Sequence, residues 1–214
     1  MAQTNQAKLQ DKIRRLVILA VLSAVVAVLQ YFGGAIAIPG TGLSITLTLV
    51  PIVMGAILYG PVFGGVLGTV FGAMVSLSVL QGTAGVLAAG MFAKFPFLTI
   101  FLCLFKGFAC GFVAGLIGKL LMKKKLYLGV ILAAVSCPVI NTGIFCFGLA
   151  VFYRDIAMGY VAEGSSLLAF LIVGIVGVNF LIEFAVNVIC APVIVRVITI
   201  LKKSGLLKLD TGNV

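Results

Sequence analysis

Asn179, Glu183 and Asn187 recur at every fourth position, so on a helix they share one face and present two carboxamides and a carboxylate to the same space. Asn141, Thr142 and Lys106 are further polar residues set inside long apolar runs. Carboxamides and hydroxyls both donate and accept hydrogen bonds, and an ammonium group pairs with an acid. Such a set suits the binding of a small polar molecule better than bond breaking. The chain has no histidine, which removes the usual general base and the commonest metal ligand together. Neither H-E-x-x-H nor a Ser–His pairing is present, and Gly118-Lys119 runs into Leu120 without the glycine spacing of a phosphate loop. Cys103, Cys110, Cys137, Cys146 and Cys190 lie in apolar segments without C-x-x-C spacing, which reads as packing rather than as a disulfide frame or a zinc site. These features predict a binder with no catalytic residues, no metal and no cofactor of its own.

The elements that must position these side chains are membrane helices. Of 214 residues 63% are hydrophobic and 9% charged, too few charges for a soluble surface. A net charge of +10 then reads as a topology signal and an attraction to anionic headgroups, not as nucleic-acid binding. Basic clusters lie near the start, around Lys123 and at the end, and ~20 apolar residues span a bilayer. The reading is an all-α membrane protein, a bundle of six transmembrane helices with both termini cytoplasmic. Only Lys94, Lys106 and Arg154 of the 15 basic residues then fall off the cytoplasmic side, as the positive-inside rule requires.

Residues 1–12 form a cytoplasmic tail, 13–203 the transmembrane substrate-binding domain, and 204–214 a second cytoplasmic tail. Pro39-Gly40-Thr41-Gly42 and Gln81-Gly82-Thr83-Ala84-Gly85 read as outer loops, and Gly60-Pro61 as an inner turn after a crossing from about Ser44 to Tyr59. Ser165 to Ile200 exceeds one crossing; the last helix is placed from about Val178, with Ser165 to Gly177 as an outer extension or flap. The first apolar stretch is read as a retained helix rather than a cleaved signal, because further spans follow it.

Counting ~1.5 Å per residue from the inner basic anchors puts Asn141 and Thr142 about 24 Å up, Lys106 about 25 Å and Glu183 about 28 Å, with Asn179 higher. The levels agree, which predicts an outward-facing pocket walled by the last three helices. Loops at Thr41, Gln81 and Tyr153 roof it, and Gln81 and Lys94 are counted among its substrate-binding residues. The competing use of the same groups is a hydrogen-bond or Lys106–Glu183 ion-pair network that merely ties helices together. Gly60, Gly64, Gly68 and Gly72, and then Gly107, Gly111 and Gly115, recur every fourth residue; they predict close helix packing within the chain. Ala20 and Ala24 give the first helix a smooth face for an intramolecular neighbour or a partner protein.

A family resemblance sharpens this. Leu49-Val50-Pro51-Ile52-Val53-Met54-Gly55-Ala56, Tyr59-Gly60-Pro61-Val62-Phe63-Gly64-Gly65, Lys106-Gly107, Pro138-Val139-Ile140-Asn141-Thr142-Gly143, and Asn179-Phe180-Leu181-Ile182-Glu183 leading to Asn187 resemble the substrate-binding S component of an energy-coupling factor (ECF) vitamin transporter, over roughly Arg15 to Lys203. The resemblance implies capture of a vitamin from outside by a six-helix protein. It further implies a membrane coupling subunit, docked on Ala20 and Ala24, and two cytoplasmic ATPases that hydrolyse the ATP, in a bacterial inner membrane. Thr46-Leu47-Thr48-Leu49 lacks the acidic residue expected of riboflavin-type members. An asparagine-rich pocket with a lysine slightly favours pantothenate, with riboflavin, folate, biotin, niacin or a cobalamin-type ligand open. The alternatives are an ion-coupled secondary transporter or small channel acting alone, and a non-transporting scaffold.

Overall fold

A computed structural model describes residues 2–33, 47–122, 125–161, 166–172 and 180–203. The described residues are predominantly helical, without strands. Five helices are long and apolar enough to cross a membrane, over Leu9–Gly33, Pro61–Leu80, Pro96–Leu121, Leu126–Phe152 and Leu181–Leu201. They belong to α1 (Ala2–Gly33), α3 (Pro61–Leu80), α5 (Pro96–Leu121), α6 (Leu126–Phe152) and α9 (Leu181–Lys203).

The second of the six predicted crossings, from about Ser44 to Tyr59, is represented among the described residues by α2 (Leu49–Tyr59), whose 11 residues make about 16 Å of helix, half a hydrocarbon core. It is the most enclosed element: Leu49, Ile52, Val53 and Ala56 are fully buried, packed with Leu22 and Val26 of α1, Cys110 and Ala114 of α5, Cys137 of α6 and Ala191 of α9. Gly60, at φ 97°, then turns the chain into Pro61 at the start of α3, a backbone state glycine adopts freely before a proline that costs a helix start nothing. Arg14 and Arg15 lie within electrostatic reach of Tyr59, so the first basic cluster and this turn share one end of the bundle.

The glycine ladders meet each other. A Cβ added to Gly64, Gly68 or Gly72 of α3 would overlap the carbonyl oxygen of Gly111, Gly107 or Cys103 of α5, and Cβ atoms on Gly107 and Gly111 would overlap Gly68 and Gly64 in return. The antiparallel helices touch backbone to backbone. In lipid, dispersion and close approach drive helix association, and side-chain bulk at such a seam works against it.

A second cluster closes the outer end. Met91 of α4 (Val86–Lys94), Leu102, Leu149, Tyr153, Ala157 of α7 (Arg154–Met158) and Leu171 pack together. The helix α4 lies in a stretch for which the sequence predicted no crossing. Leu171 follows α8 (Leu167–Ala169); Ser165 and 173–177 of the predicted flap lie outside the described residues, as do the Thr41 loop and the 204–214 tail. The Tyr153 hydroxyl sits 2.8 Å from Thr99 Oγ1 and 3.2 Å from the Phe95 carbonyl oxygen, fastening this cap to the start of α5.

Lys94 at the end of α4 donates to Asp155 Oδ1 of α7. That hydrogen bond is the main cause holding the Asp155 carboxyl below the ordinary carboxylate range. A lowered folded value means the link favours the packed cap above the unfolded Asp value of ~3.9, and that this contribution is lost as pH falls through the lower folded value. Acidification through that window is expected to lower the protection factors of α4 and α7 amides, corrected for intrinsic exchange, while those of α3 and α5 hold. Asp155→Asn should show the lower protection already at neutral pH and no change across the window.

Candidate functional site

The last helix has an inward stripe. Glu183, Asn187, Ala191, Ile194 and Ile198 are all buried, with Glu183 3% and Asn187 1% exposed, at intervals of three or four that keep one face toward the core. The three aliphatic residues bind the inner half of α9 to Val130, Ala133, Ala134 and Cys137 of α6. One to two turns further out, the same stripe becomes polar. Asn187 Nδ2 donates to the Glu183 carbonyl oxygen at 2.8 Å, which fixes the carboxamide, and its Oδ1 is buried with no hydrogen-bond partner among the described residues.

The facing helix, α6, supplies Cys137 and, one turn outward, Asn141, 6% exposed, with Thr142 beside it. Glu183 lies within electrostatic reach of Cys137, which sets the register of the two helices. Asn141 Oδ1 is likewise buried without a partner among the described residues. Pro138 interrupts the ladder just below and removes the N–H that would serve the Ala134 carbonyl; Ser136 Oγ donates to the adjacent Ala133 carbonyl at 2.9 Å. Neighbouring groups of this kind make a proline tolerable inside a membrane helix.

Lys106 arrives from α5. Leu102 packs on Gly148, Lys106 Nζ lies 5.0 Å from the Phe145 ring centroid, and Cys110 and Cys137 lie together in one buried cluster. These three contacts fix α5 against α6 and bring Asn141 between the levels of Lys106 and Cys110. The ammonium is also 6.0 Å from the Phe71 centroid on α3 and makes no ion pair among the described residues. Ring faces attract a cation without neutralising it, so the charge stays available to an anion.

Asn141, Thr142, Glu183 and Asn187 are all buried on the facing helices α6 and α9, and Lys106 reaches α6 from α5. Gln81 does not join them: it is exposed at the turn closing α3. Lys94 sits in the outer cap with Asp155, and Asn179 lies outside the described residues. Ala20 and Ala24 are exposed on α1, in a strip with Leu16, Val17, Val21 and Val28. No cluster of residues able to hold a metal ion occurs among the described residues.

Sequence reasoning missed four buried polar groups, Gln30, Thr48, Ser76 and Thr99. Leu22, Val26 and Gln30 follow the same four-residue spacing that exposed the α9 stripe. That signal was available.

The fold and this site define a multi-pass membrane protein that buries polar groups inside its bundle. Residues 14–195 match the family model described as ECF transporter, substrate-specific component, and the chain belongs to that family. A solved structure of ThiT from Listeria monocytogenes shares the fold, at a TM-score of 0.58 and 21% identity over 91% of this chain and 96% of that one. Among curated protein sequences none matches.

Proposed function

We propose that this S component captures a vitamin or similar micronutrient from outside a bacterial cell and delivers it through an ATP-driven importer of the inner membrane. A membrane coupling subunit and two cytoplasmic ATPases complete the machine and hydrolyse the ATP; this chain carries no cofactor. The strip around Ala20 and Ala24 is the proposed coupling face, supported by its exposure on a helix whose other side is packed.

The observation that carries the ligand reading is the pair of buried carboxamide oxygens on Asn141 and Asn187 that have no partner among the described residues. An unmade hydrogen bond in a buried place costs about 1–3 kcal/mol, which a ligand offering N–H or O–H groups removes. Lys106 adds a cation suited to a carboxylate. A small ligand with amide, hydroxyl and acid groups meets all three demands, and pantothenate is the vitamin that combines them most simply.

Native mass spectrometry of the purified protein, offered an equimolar mixture of the water-soluble vitamins, tests this. Wild type is expected to carry one vitamin, with pantothenate favoured. Lys106→Met should weaken an acidic ligand by about 10- to 100-fold, the size of a lost charge-assisted hydrogen bond. Wild type that binds none of the mixture, or a lone chain that accumulates vitamin in ATP-free vesicles on an ion gradient, overturns the proposal.

A further inference from the structure

Every wall of the site described so far comes from α5, α6 and α9, yet α2 stands at the centre of the bundle and packs against all three. A Cβ on Gly111 would lie 3.0 Å from Ile52 Cγ2, and Gly118 faces Ile57 in the same way, so α2 and α5 run parallel in a fixed register. One turn outward from Ile52, Thr48 reaches the level of Gly107, beside Lys106. This is the level at which α6 presents Asn141. Thr48 is fully buried, and its hydroxyl donates to Gln30 Oε1 of α1 at 3.1 Å.

We infer that Gln30 and Thr48 form the opposite wall of the ligand site and act as its neutral, specificity-determining pole; the inference rests on the capture reading above. With Oε1 engaged by Thr48, the Gln30 amide is oriented with two N–H donors to spare, and these have no hydrogen-bond partner among the described residues. Thr48 Oγ1 has given its proton to Gln30 and retains lone pairs. The pair therefore offers donors and an acceptor side by side, which complements a hydroxyl or secondary amide and gives no advantage to a second charge. Lys106 supplies the charged pole. The site then selects bipolar molecules, with an acid at one end and a neutral hydroxyl or amide at the other.

The decisive comparison is wild type against Thr48→Val and Thr48→Ser, each titrated with the vitamin that wild type selects from the mixture. Valine keeps the shape and loses the hydroxyl; serine keeps the hydroxyl. The expected result is at least a tenfold rise in Kd for valine, near-wild-type affinity for serine, and a preference among vitamins that shifts away from hydroxyl- or amide-bearing ligands in the valine variant. Wild-type affinity in Thr48→Val, with only a lower melting temperature of the ligand-free protein, marks a structural tie and overturns the inference. Should Thr48→Val fail to fold, Gln30→Met, which matches glutamine in volume, decides by the same Kd comparison. A wild-type protein that binds no vitamin fails the capture reading itself, an outcome separate from any loss confined to the variants.

Discussion

Gly68→Leu should abolish recovery of folded protein. The Cβ alone would overlap the Gly107 carbonyl oxygen, and Gly107 offers no side chain to move aside because it is itself pressed on Gly68. The only relief is separation of α3 from α5, which opens the contacts at Gly64–Gly111 and Gly72–Cys103 together. Overpacking a well-filled site typically costs ~1–3 kcal/mol and occasionally more. Here the obstacle is backbone on both sides, so the cost falls at or beyond the upper end of that range. Function would fail with the fold, since Phe71 rides on α3 and Lys106 on α5, and parting the helices moves the cation away from its aromatic seat. The measurement is the monodisperse yield on size exclusion in detergent. Gly143→Ala is the control: nothing lies within 4 Å of its added Cβ, so that variant should express normally and gain up to ~1 kcal/mol in helix propensity. A stable, well-folded Gly68→Leu protein would mean that the seam is looser than its geometry requires.

What the sequence disclosed and what it concealed divide along physical lines. Helix ends beside basic clusters were legible because charge at a membrane edge is a one-dimensional signal: Leu121 ends α5 just before Lys123, and Lys203 ends α9. The ladders were legible because a period of four maps directly onto one helix face. Contacts that join distant segments were not legible. The Lys94–Asp155 link spans 61 positions, and nothing local to either residue announces the other. The helix α4 is nine residues long, too short for its apolar pattern to be told from a loop beside a glycine-rich turn. Gln30 was hidden for another reason: a single amide near the end of a long apolar helix looks like an interface residue until its inward spacing with Leu22 and Val26 is laid beside the packing of α2. The aromatic seat of Lys106 depends on α3 and α6 converging on α5, a tertiary fact. A carboxylate partner was the competing reading for that lysine; the fold places it over Phe145 and Phe71, with no ion pair among the described residues.

Asn141→Leu should remove binding while leaving the ligand-free protein as stable as wild type, or more so. These two effects separate a ligand-facing asparagine from a structural one. Had Asn141 been part of a satisfied interhelical network, leucine would strand its partner, and the loss would be the ~1–3 kcal/mol of an orphaned buried group. Its Oδ1 instead has no partner among the described residues; replacing it with an aliphatic group of similar size removes a desolvation cost and adds apolar contact with the surrounding α2–α6–α9 core. The ligand, by contrast, would meet leucine where its own N–H or O–H group needs an acceptor. A site built to bond such a group discriminates strongly when the bond cannot form. A tenfold or greater rise in Kd is expected, equivalent to about 1.4 kcal/mol or more, together with an unchanged or raised melting temperature without vitamin and a much smaller thermal shift with it. A marked fall in ligand-free stability with intact affinity would place Asn141 in the scaffold and move the search for the recognition surface to Asn187 and Lys106. Natural binding sites often hold a fold below its attainable stability. In this bundle, the Asn141 and Asn187 carboxamide oxygens, buried without a partner among the described residues, are where that cost falls.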